Sequence, residues 1–483
     1  MPFKKRITSV FITLLCFIFL NCVTSCIYKD IFFKGGTETK QNISVENKEI
    51  ENKVLVSETD LEENVITEGA AVKEPEIAAE ITGYRIVFLE IISSEKSNHF
   101  EHRVANIYAV NADGSGKELI FSDIEEKYDL GRVYSASPDG TKLCCQLFEG
   151  GRGAYTALCV IDTASGEIKK IIEFDYTKEE MPSNILSIYG TPVWSNDSKK
   201  LLYEVISTPY ERPLSGNFRD AGIFMADVNS GMNYEVELDL GGVSVRTTTF
   251  LNPVLLTPDD NKIYTLSHIY SPIEENKEII GFHTEDVGLY KISSSGGQIL
   301  KEIFNVESFI SEGMEVVRNI GNFHYLKNRE KLIFQVLGDF EEDGDIWISD
   351  SDGKNYHKLT NDKSLREQQP TIFNDPAGRT KVAYIGSDRY GTVFNQTPRG
   401  GLYIINSDGS ENTKITDYCI GASNPVFSPD GRYISYLFST YDENKEYIID
   451  NHIEVYDIIK NEITKIKPDG YLVGNIGWIL PGN

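Results

Sequence analysis

"NPVFSPDGRYISYLF", Asn424 to Phe438, decides how this chain folds. A short apolar run meets Ser428-Pro429-Asp430-Gly431, and a second run alternating apolar and polar residues follows. Proline presets the dihedral of the second turn position and glycine accepts the left-handed conformation that closes a turn, so the stretch predicts a β-hairpin. Related stretches recur as "YSASPDGTKLCCQLF" (Tyr134–Phe148), "PVWSNDSKKLLYEV" (Pro192–Val205) and "PVLLTPDDNKIYTLS" (Pro253–Ser267). Weaker copies are "FHYLKNREKLIFQV" (Phe323–Val336) and "PTIFNDPAGRTKVAYIG" (Pro370–Gly386).

After a variable connection each copy is followed by a second hairpin. These are "ALCVIDTASGEIKKII", "IFMADVNSGMNYEVEL", "LYKISSSGGQILKEI", "IWISDSDGKNYHKLT", "LYIINSDGSENTKIT" and "IEVYDIIKNEITKIK". Their centres carry the Gly, Asn and Asp residues that hairpin turns favour. Each unit therefore predicts four short antiparallel strands, the make-up of one propeller blade. The two ends fix the number of units. "YRIVFLEII" with "IYAVNADGSGKELI" supplies the last three strands of a blade but not the first. "VGNIGWIL", near the C-terminus, fits that missing strand, with Trp478 in the aromatic position. Six complete internal units plus this shared one predict an all-β, seven-bladed β-propeller over residues 81–483, rather than six or eight blades. Closure by the C-terminal strand would leave no unpaired edge between the first and last blades.

These repeats resemble the WD40-like PD40 repeats of the TolB family of β-propellers. "SPDG" together with "LYIINSDGS" carries the resemblance, which covers Tyr84 to the C-terminus. It implies the propeller architecture. TolB itself has an α/β domain before a six-bladed propeller, so its role in an envelope-spanning complex does not carry over.

The N-terminus has a different character. "MPFKKR" is basic, "ITSVFITLLCFIFLNCV" is apolar, and Val23-Thr24-Ser25-Cys26 follows, which together predict an export signal over residues 1–25. The quartet resembles the bacterial lipobox, which implies lipidation of Cys26 and a membrane anchor outside the cytoplasm. An uncleaved anchor over residues 7–28 is the alternative. Within residues 26–80, the stretch from Thr37 to Glu80 is rich in Glu, has no aromatic residue and shows no sustained apolar face. Such a segment predicts a disordered acidic stalk with a reach of roughly 35–40 Å. The formal net charge of −26 argues against nucleic acid as a partner. Of the seven cysteines, Cys144 and Cys145 are neighbours on one expected strand and so point to opposite faces. Cys159 on the next strand could meet one of them, Cys419 has no obvious mate, and with no CxxC or other metal spacing the reading is buried apolar thiols rather than a disulfide framework.

Propellers of this kind also cap the peptidases that resemble prolyl oligopeptidase, but those need a strained turn exposing a serine within G-x-S-x-G, and none is found here. A weak calcium-loop pattern runs from Asp339 to Asp350, with Asp339, Glu341, Asp343 and Asp345 at alternate positions, Gly344 at the sixth and Asp350 at the twelfth. No other cofactor is expected. His99, His102, His268 and His283 fall in expected loops of two well-separated blades, which argues against one shared metal. Long insertions occupy the connection between second and third strands in five blades and would crowd onto one face. They carry Tyr210, Arg212, Phe218, Arg219, Tyr270, Phe282, Arg389, Tyr390, Phe394, Arg399 and Tyr441, residue types that dominate binding hot spots. The sequence thus reads as an extracytoplasmic, membrane-anchored lipoprotein whose propeller is a non-enzymatic binding platform for a protein, peptide or envelope ligand. The enzymatic alternative is a metal-assisted lyase or hydrolase acting on an acidic glycan in the channel. The third is a structural partner in an envelope complex.

Overall fold

The computed structural model describes residues 83–94, 102–122, 129–149, 155–175, 184–209, 219–236, 238–239, 248–275, 278–310, 317, 319–326, 330–338, 344–375, 380–388, 399–416, 419–420, 422–441 and 448–480. The export signal, Cys26 and the stalk lie outside them. Three strands open the first blade, β1 (Arg85–Ser94), β2 (His102–Asn111) and β3 (Glu118–Ser122). Blade two is β4 (Asp129–Ala136), β5 (Lys142–Glu149), β6 (Tyr155–Asp162) and β7 (Ile168–Asp175). Blade three is β8 (Asn184–Trp194), β9 (Lys200–Pro209), β10 (Arg219–Asp227) and β11 (Asn233–Glu235). β12 (Leu238–Asp239) precedes blade four, which is β13 (Thr248–Leu256), β14 (Lys262–Glu275), β15 (Glu278–Ser293) and β16 (Gly297–Asn305).

A short helix, α1 (Val306–Ile310), leads into blade five, β17 (Asn319–Leu326), β18 (Lys331–Leu337), β19 (Gly344–Asp350) and β20 (His357–Lys358). Blade six is β21 (Leu365–Asn374), β22 (Thr380–Asp388), β23 (Arg399–Asn406) and β24 (Thr413–Lys414), and β25 (Cys419–Ile420) also pairs with β23. Blade seven is β26 (Ser423–Phe427), β27 (Tyr433–Tyr441), β28 (Ile448–Asp457) and β29 (Glu462–Ile466). The last strand, β30 (Tyr471–Ile479), returns to pair antiparallel with β1, giving the sheet order β3-β2-β1-β30. This is the seven-bladed propeller read from the repeats, closed as expected.

First strands of neighbouring blades touch one another at β8 with β13, β13 with β17, β17 with β21, β21 with β26, β26 with β30 and β30 with β4. They therefore surround the axis, and fourth strands form the rim. Burial follows this order. Middle strands have a blade on each side, so "KLIFQVL" of β18 and "DIWIS" of β19 are buried on both faces and read as continuous apolar runs. Rim strand β11 is exposed throughout, whereas β3 exposes Glu118 and Leu119 and half-buries Ile120 and Phe121.

Among the described residues the core is seven apolar layers, one for each blade-to-blade contact. Val87 and Ile107 meet Leu143 and Cys145 between blades one and two, and Cys144 and Leu158 meet Leu201 and Tyr203 between two and three. Met225 meets Ile263 and Ile292, Tyr264 meets Phe323 and Trp347, Ile333 meets Tyr384, and Ala383 meets Tyr436 around the ring. The seventh layer joins Ile453 and Val455 of blade seven to Ile86, Phe88 and Trp478 of blade one. The layer between blades four and five is aromatic, and α1 plugs it with Phe309, whose ring meets Trp347 edge-on at 5.2 Å.

The hairpin motif is held by one hydrogen-bond pattern. Ser428 Oγ donates to Asp430 Oδ1 (2.5 Å) and accepts the Tyr433 N–H (2.9 Å), while Asp430 Oδ1 accepts the Arg432 N–H (3.1 Å). Ser137 with Asp139, Ser195 with Asp197, and Thr257 with Asp259 repeat it. The hydroxyl and carboxylate of each "S/T-x-D" therefore satisfy backbone groups that the turn leaves unpaired. At the ring closure, Lys117 Nζ lies 2.9 Å from Glu90 Oε2 and 2.6 Å from Asp469 Oδ2, above the Tyr108 ring at 4.2 Å. Glu90 Oε1 also accepts the Gly470 N–H, which ties β1 to the entry of β30.

Candidate binding face and channel

Strand alternation sorts the connections onto two faces. Turns between first and second strands, and between third and fourth, share one face; second-to-third connections and the crossings between blades share the other. The first face includes the four tight turns just described. The second holds the strand ends between which the long insertions run, and the backbone positions of five sequence-predicted residues fall there. Arg219 opens β10, Arg399 opens β23, Tyr441 closes β27, and Tyr270 and Phe282 lie on β14 and β15. Tyr210, Arg212, Phe218, Arg389, Tyr390 and Phe394 lie outside the described residues.

The blade-four insertion is not the loop expected from the sequence. β14 and β15 continue through it with 14 and 16 residues, pairing Tyr270 with Thr284, Pro272 with Phe282 and Glu275 with Glu278. Other second strands have between 7 and 10 residues, so this hairpin stands beyond them as an arm of roughly 15 Å. Its Ile269, Tyr270, Ile273, Ile279, Ile280 and Phe282 are strand-favouring residues, and cross-strand pairing satisfies backbone groups a free loop would leave to water. His268 and His283 consequently sit on strands, as does His102 at the start of β2. His99 lies outside the described residues.

Around the channel the first strands are bulged at one level. Register shifts interrupt β8, β17, β21 and β26 there, and Gly190, Asn322, Gln369 and Asn424 take φ values of 68°, 52°, 54° and 51°. Such bulges re-aim side chains, and here they string amides across three blades. Asn322 Nδ2 donates to Gln335 Oε1 (2.6 Å), which also accepts the Gln369 N–H (3.2 Å); Gln369 Oε1 in turn accepts the Asn424 N–H (2.8 Å). His324 Nε2 lies 2.7 Å from Pro370 O and must donate to it; burial lowers the pKa of this histidine, against the opposing effect of that bond. Sequence reading missed this belt. Its Gln335 alone follows a positional pattern, a polar residue four places after the lysine that opens a second strand, which Gln146 after Lys142 and Glu204 after Lys200 share in blades two and three.

Two ionisable groupings lie toward the insertion face. Between blades five and six, Asp345 is 2 % exposed and pairs with Lys358 Nζ at 2.5 Å, beside the fully buried Glu367. Burial raises the Glu367 carboxyl to about 8; Asp345 and Asp362 add to the rise and the Thr360 hydroxyl opposes it. On blade seven the buried His452 stacks on Phe438 at 4.6 Å, with Asp450 Oδ2 3.2 Å from Nδ1 and Glu454 Oε1 3.3 Å from Nε2. Lys465 and Lys467 balance those carboxylates from 3.3 and 3.7 Å.

The two described members of the calcium-loop pattern do not converge. Asp345 and Asp350 stand at opposite ends of β19, roughly 17 Å apart along a strand, and Asp350 accepts a 2.6 Å bond from Asn355 Nδ2. Asp339, Glu341 and Asp343 lie outside the described residues. Among the described residues, no group of three or more His, Cys, Asp or Glu is arranged to hold a metal ion.

No protein-family model and no curated protein sequence matches this chain. Solved structures do. The oligogalacturonate lyase of Vibrio parahaemolyticus is 12 % identical, with 80 % of this chain covering 87 % of that one at a TM-score of 0.48. TolB from Acinetobacter baumannii is 13 % identical, with coverage of 82 % and 83 % and a TM-score of 0.38. The propeller domain of the Trilobed protease from Pyrococcus furiosus, described as having an open velcro topology, is 14 % identical, with coverage of 81 % and 95 % and a TM-score of 0.43. Those likenesses carry no activity across; the chain is a seven-bladed propeller on the strength of its own sheet order.

Proposed function

We propose that this protein is a non-enzymatic binding platform whose insertion face takes a protein, peptide or envelope ligand, held at a membrane outside the cytoplasm through a lipidated Cys26. The observation that carries the reading is the β14–β15 arm, which stands out from the face on which second strands end and third strands begin. On the opposite face the first-to-second turns of blades two, three, four and seven are tight and internally bonded. Arginine and aromatic residues at the arm and at the strand ends supply contact area and directional hydrogen bonds.

The test is affinity capture from detergent-solubilised envelope, using the full-length chain and a variant in which residues 270–285 are replaced by Asn-Gly. Ile269 and Asp286 are directly paired, so a two-residue turn between them preserves the register. A stoichiometric partner is expected with the full-length chain and not with the variant, both showing the same thermal melt. Equal capture by both would remove the arm from the binding face, and loss of binding without effect from Arg212, Arg219 and Tyr390 substitutions would restrict the site to the arm.

A further inference from the structure

We infer that Cys145 and Cys159 become a disulfide joining the middle strands of blade two when the chain folds under oxidising conditions. The two residues are directly opposed in the register of β5 and β6, both are 0 % exposed free thiols, and both belong to the apolar layer between blades one and two. Directly opposed residues of an antiparallel pair have Cα atoms about 4.5 or 5.5 Å apart. The Thr163 N–H donates to Thr141 O, which by two-residue alternation makes Cys145 and Cys159 a hydrogen-bonded pair with Cα atoms about 5.5 Å apart, inside the range of about 4.4–6.8 Å that a disulfide spans. Their Cβ atoms, on the order of 5 Å apart, must draw in by about 1 Å, so the bond needs side-chain rotation and a small local adjustment of β5 against β6.

Cys144 makes the choice of partner unambiguous. It faces the layer against blade three with Leu158, Leu201 and Tyr203, whereas Cys145 and Cys159 share the layer against blade one with Ile107 and Leu143. Of the three buried thiols, one pair is on the same side of the sheet. The oxidant is a second disulfide, either a small molecule or one borne by a thiol oxidoreductase. One cysteine thiolate attacks it to form a mixed disulfide, and the other displaces the carrier sulfur. One protein S–S bond forms, the oxidant's S–S bond breaks, and the two cysteines give up two electrons and two protons to leave two carrier thiols. The contact with Cys159, with burial, pushes the Cys145 thiol up, so the assembled layer holds little thiolate. The exchange therefore belongs to folding, before blade one covers this face of β5 and β6.

The experiment uses the full-length chain, either secreted into an oxidising compartment or refolded with oxidised glutathione, with free thiols trapped by N-ethylmaleimide in denaturant. Trypsin cuts after Lys142, Arg152 and Lys169, which puts Cys144 and Cys145 in one peptide and Cys159 in the next. The expected result is a linked peptide pair, lighter by two hydrogens than the free pair and separated by reductant. It should persist in Cys144→Ala and vanish in Cys145→Ala. Recovery of Cys145 and Cys159 as maleimide adducts from folded protein, or a cross-link that survives Cys145→Ala, would overturn the assignment.

Discussion

At Glu367 burial sets the protonation state, and that makes one side chain a measurable part of the stability of the ring. Its folded pKa, about 8, lies above the ordinary 4.5, so its stabilising contribution is complete below about 4.5 and is withdrawn as pH rises through about 8. The groups around it are Asp345 with its partner Lys358, Asp362, Thr360 and Tyr384. Glu367→Gln is expected to gain about 1–3 kcal/mol over the native chain at pH 8.5 and to match it at pH 4.5, measured by urea unfolding. Equal stability at both pH values would mean the carboxylate is solvated in the folded chain. The turn aspartates have the opposite sign. The Thr257 hydroxyl and the Asn261 N–H hold Asp259 down to about 2, and the Ser195 hydroxyl lowers Asp197 in the same way. Their contribution is present above about 4 and is lost as pH falls toward 2. A urea midpoint that falls over that window in the native chain, and falls less in Asp259→Asn, is the expected outcome.

Hairpin turns are the elements the sequence declares most openly, because each needs particular side chains at fixed offsets. "SPDG" and "SDGS" were legible for that reason, and with them the four-strand unit. The third-to-fourth turns also dock against the preceding blade, which sequence could not show. Gly353 (φ 81°) and Gly409 (φ 85°) occupy equivalent turns, but a Cβ on Gly353 would lie 2.2 Å from Ile303 O, whereas one on Gly409 would lie 3.9 Å from Leu359 O. Both alanine variants incur the left-handed cost of about 1 kcal/mol, and Gly353→Ala also forces blades four and five apart. It is expected to lose about 2 kcal/mol more than Gly409→Ala in denaturant unfolding, and similar losses would show that the blade contact yields. The arm and the channel bulges were not legible. The arm's isoleucines and aromatics suit a strand, yet the Glu, Asn and Lys residues around its tip read as loop until the partner strand is known. A bulge depends on pairing register, which periodicity of two cannot reveal. Gln369 in a left-handed conformation is an arrangement that no local propensity predicts.

For the whole molecule, the number of blades was readable because the two chain ends each carried part of one unit. Long-range contacts such as Glu90 with Lys117 and Asp469, or Asp345 beside Glu367, were not readable, since they join residues whose proximity exists only after the ring forms. Closure concentrates on Trp478, which is 4 % exposed, stacks on Tyr433 at 5.8 Å and donates from Nε1 to Val426 O at 3.1 Å. Trp478→Ala is expected to cost about 3–5 kcal/mol and to speed hydrogen exchange in β1 and β30 ahead of the other strands. Uniform acceleration around the ring would instead make closure no weaker than any other blade contact. The pairing of β30 with β1 also imposes an order in time. The Glu90 carboxylate waits for a Gly470 amide 380 positions further along the chain. A chain delivered N-terminus first, from a ribosome or through a membrane pore, therefore presents its opening blade as three strands with a bare edge until nearly everything else has emerged. During that interval the open edge of β1 can pair with any strand within reach, so the step that most needs a chaperone is the wait before the final strand arrives.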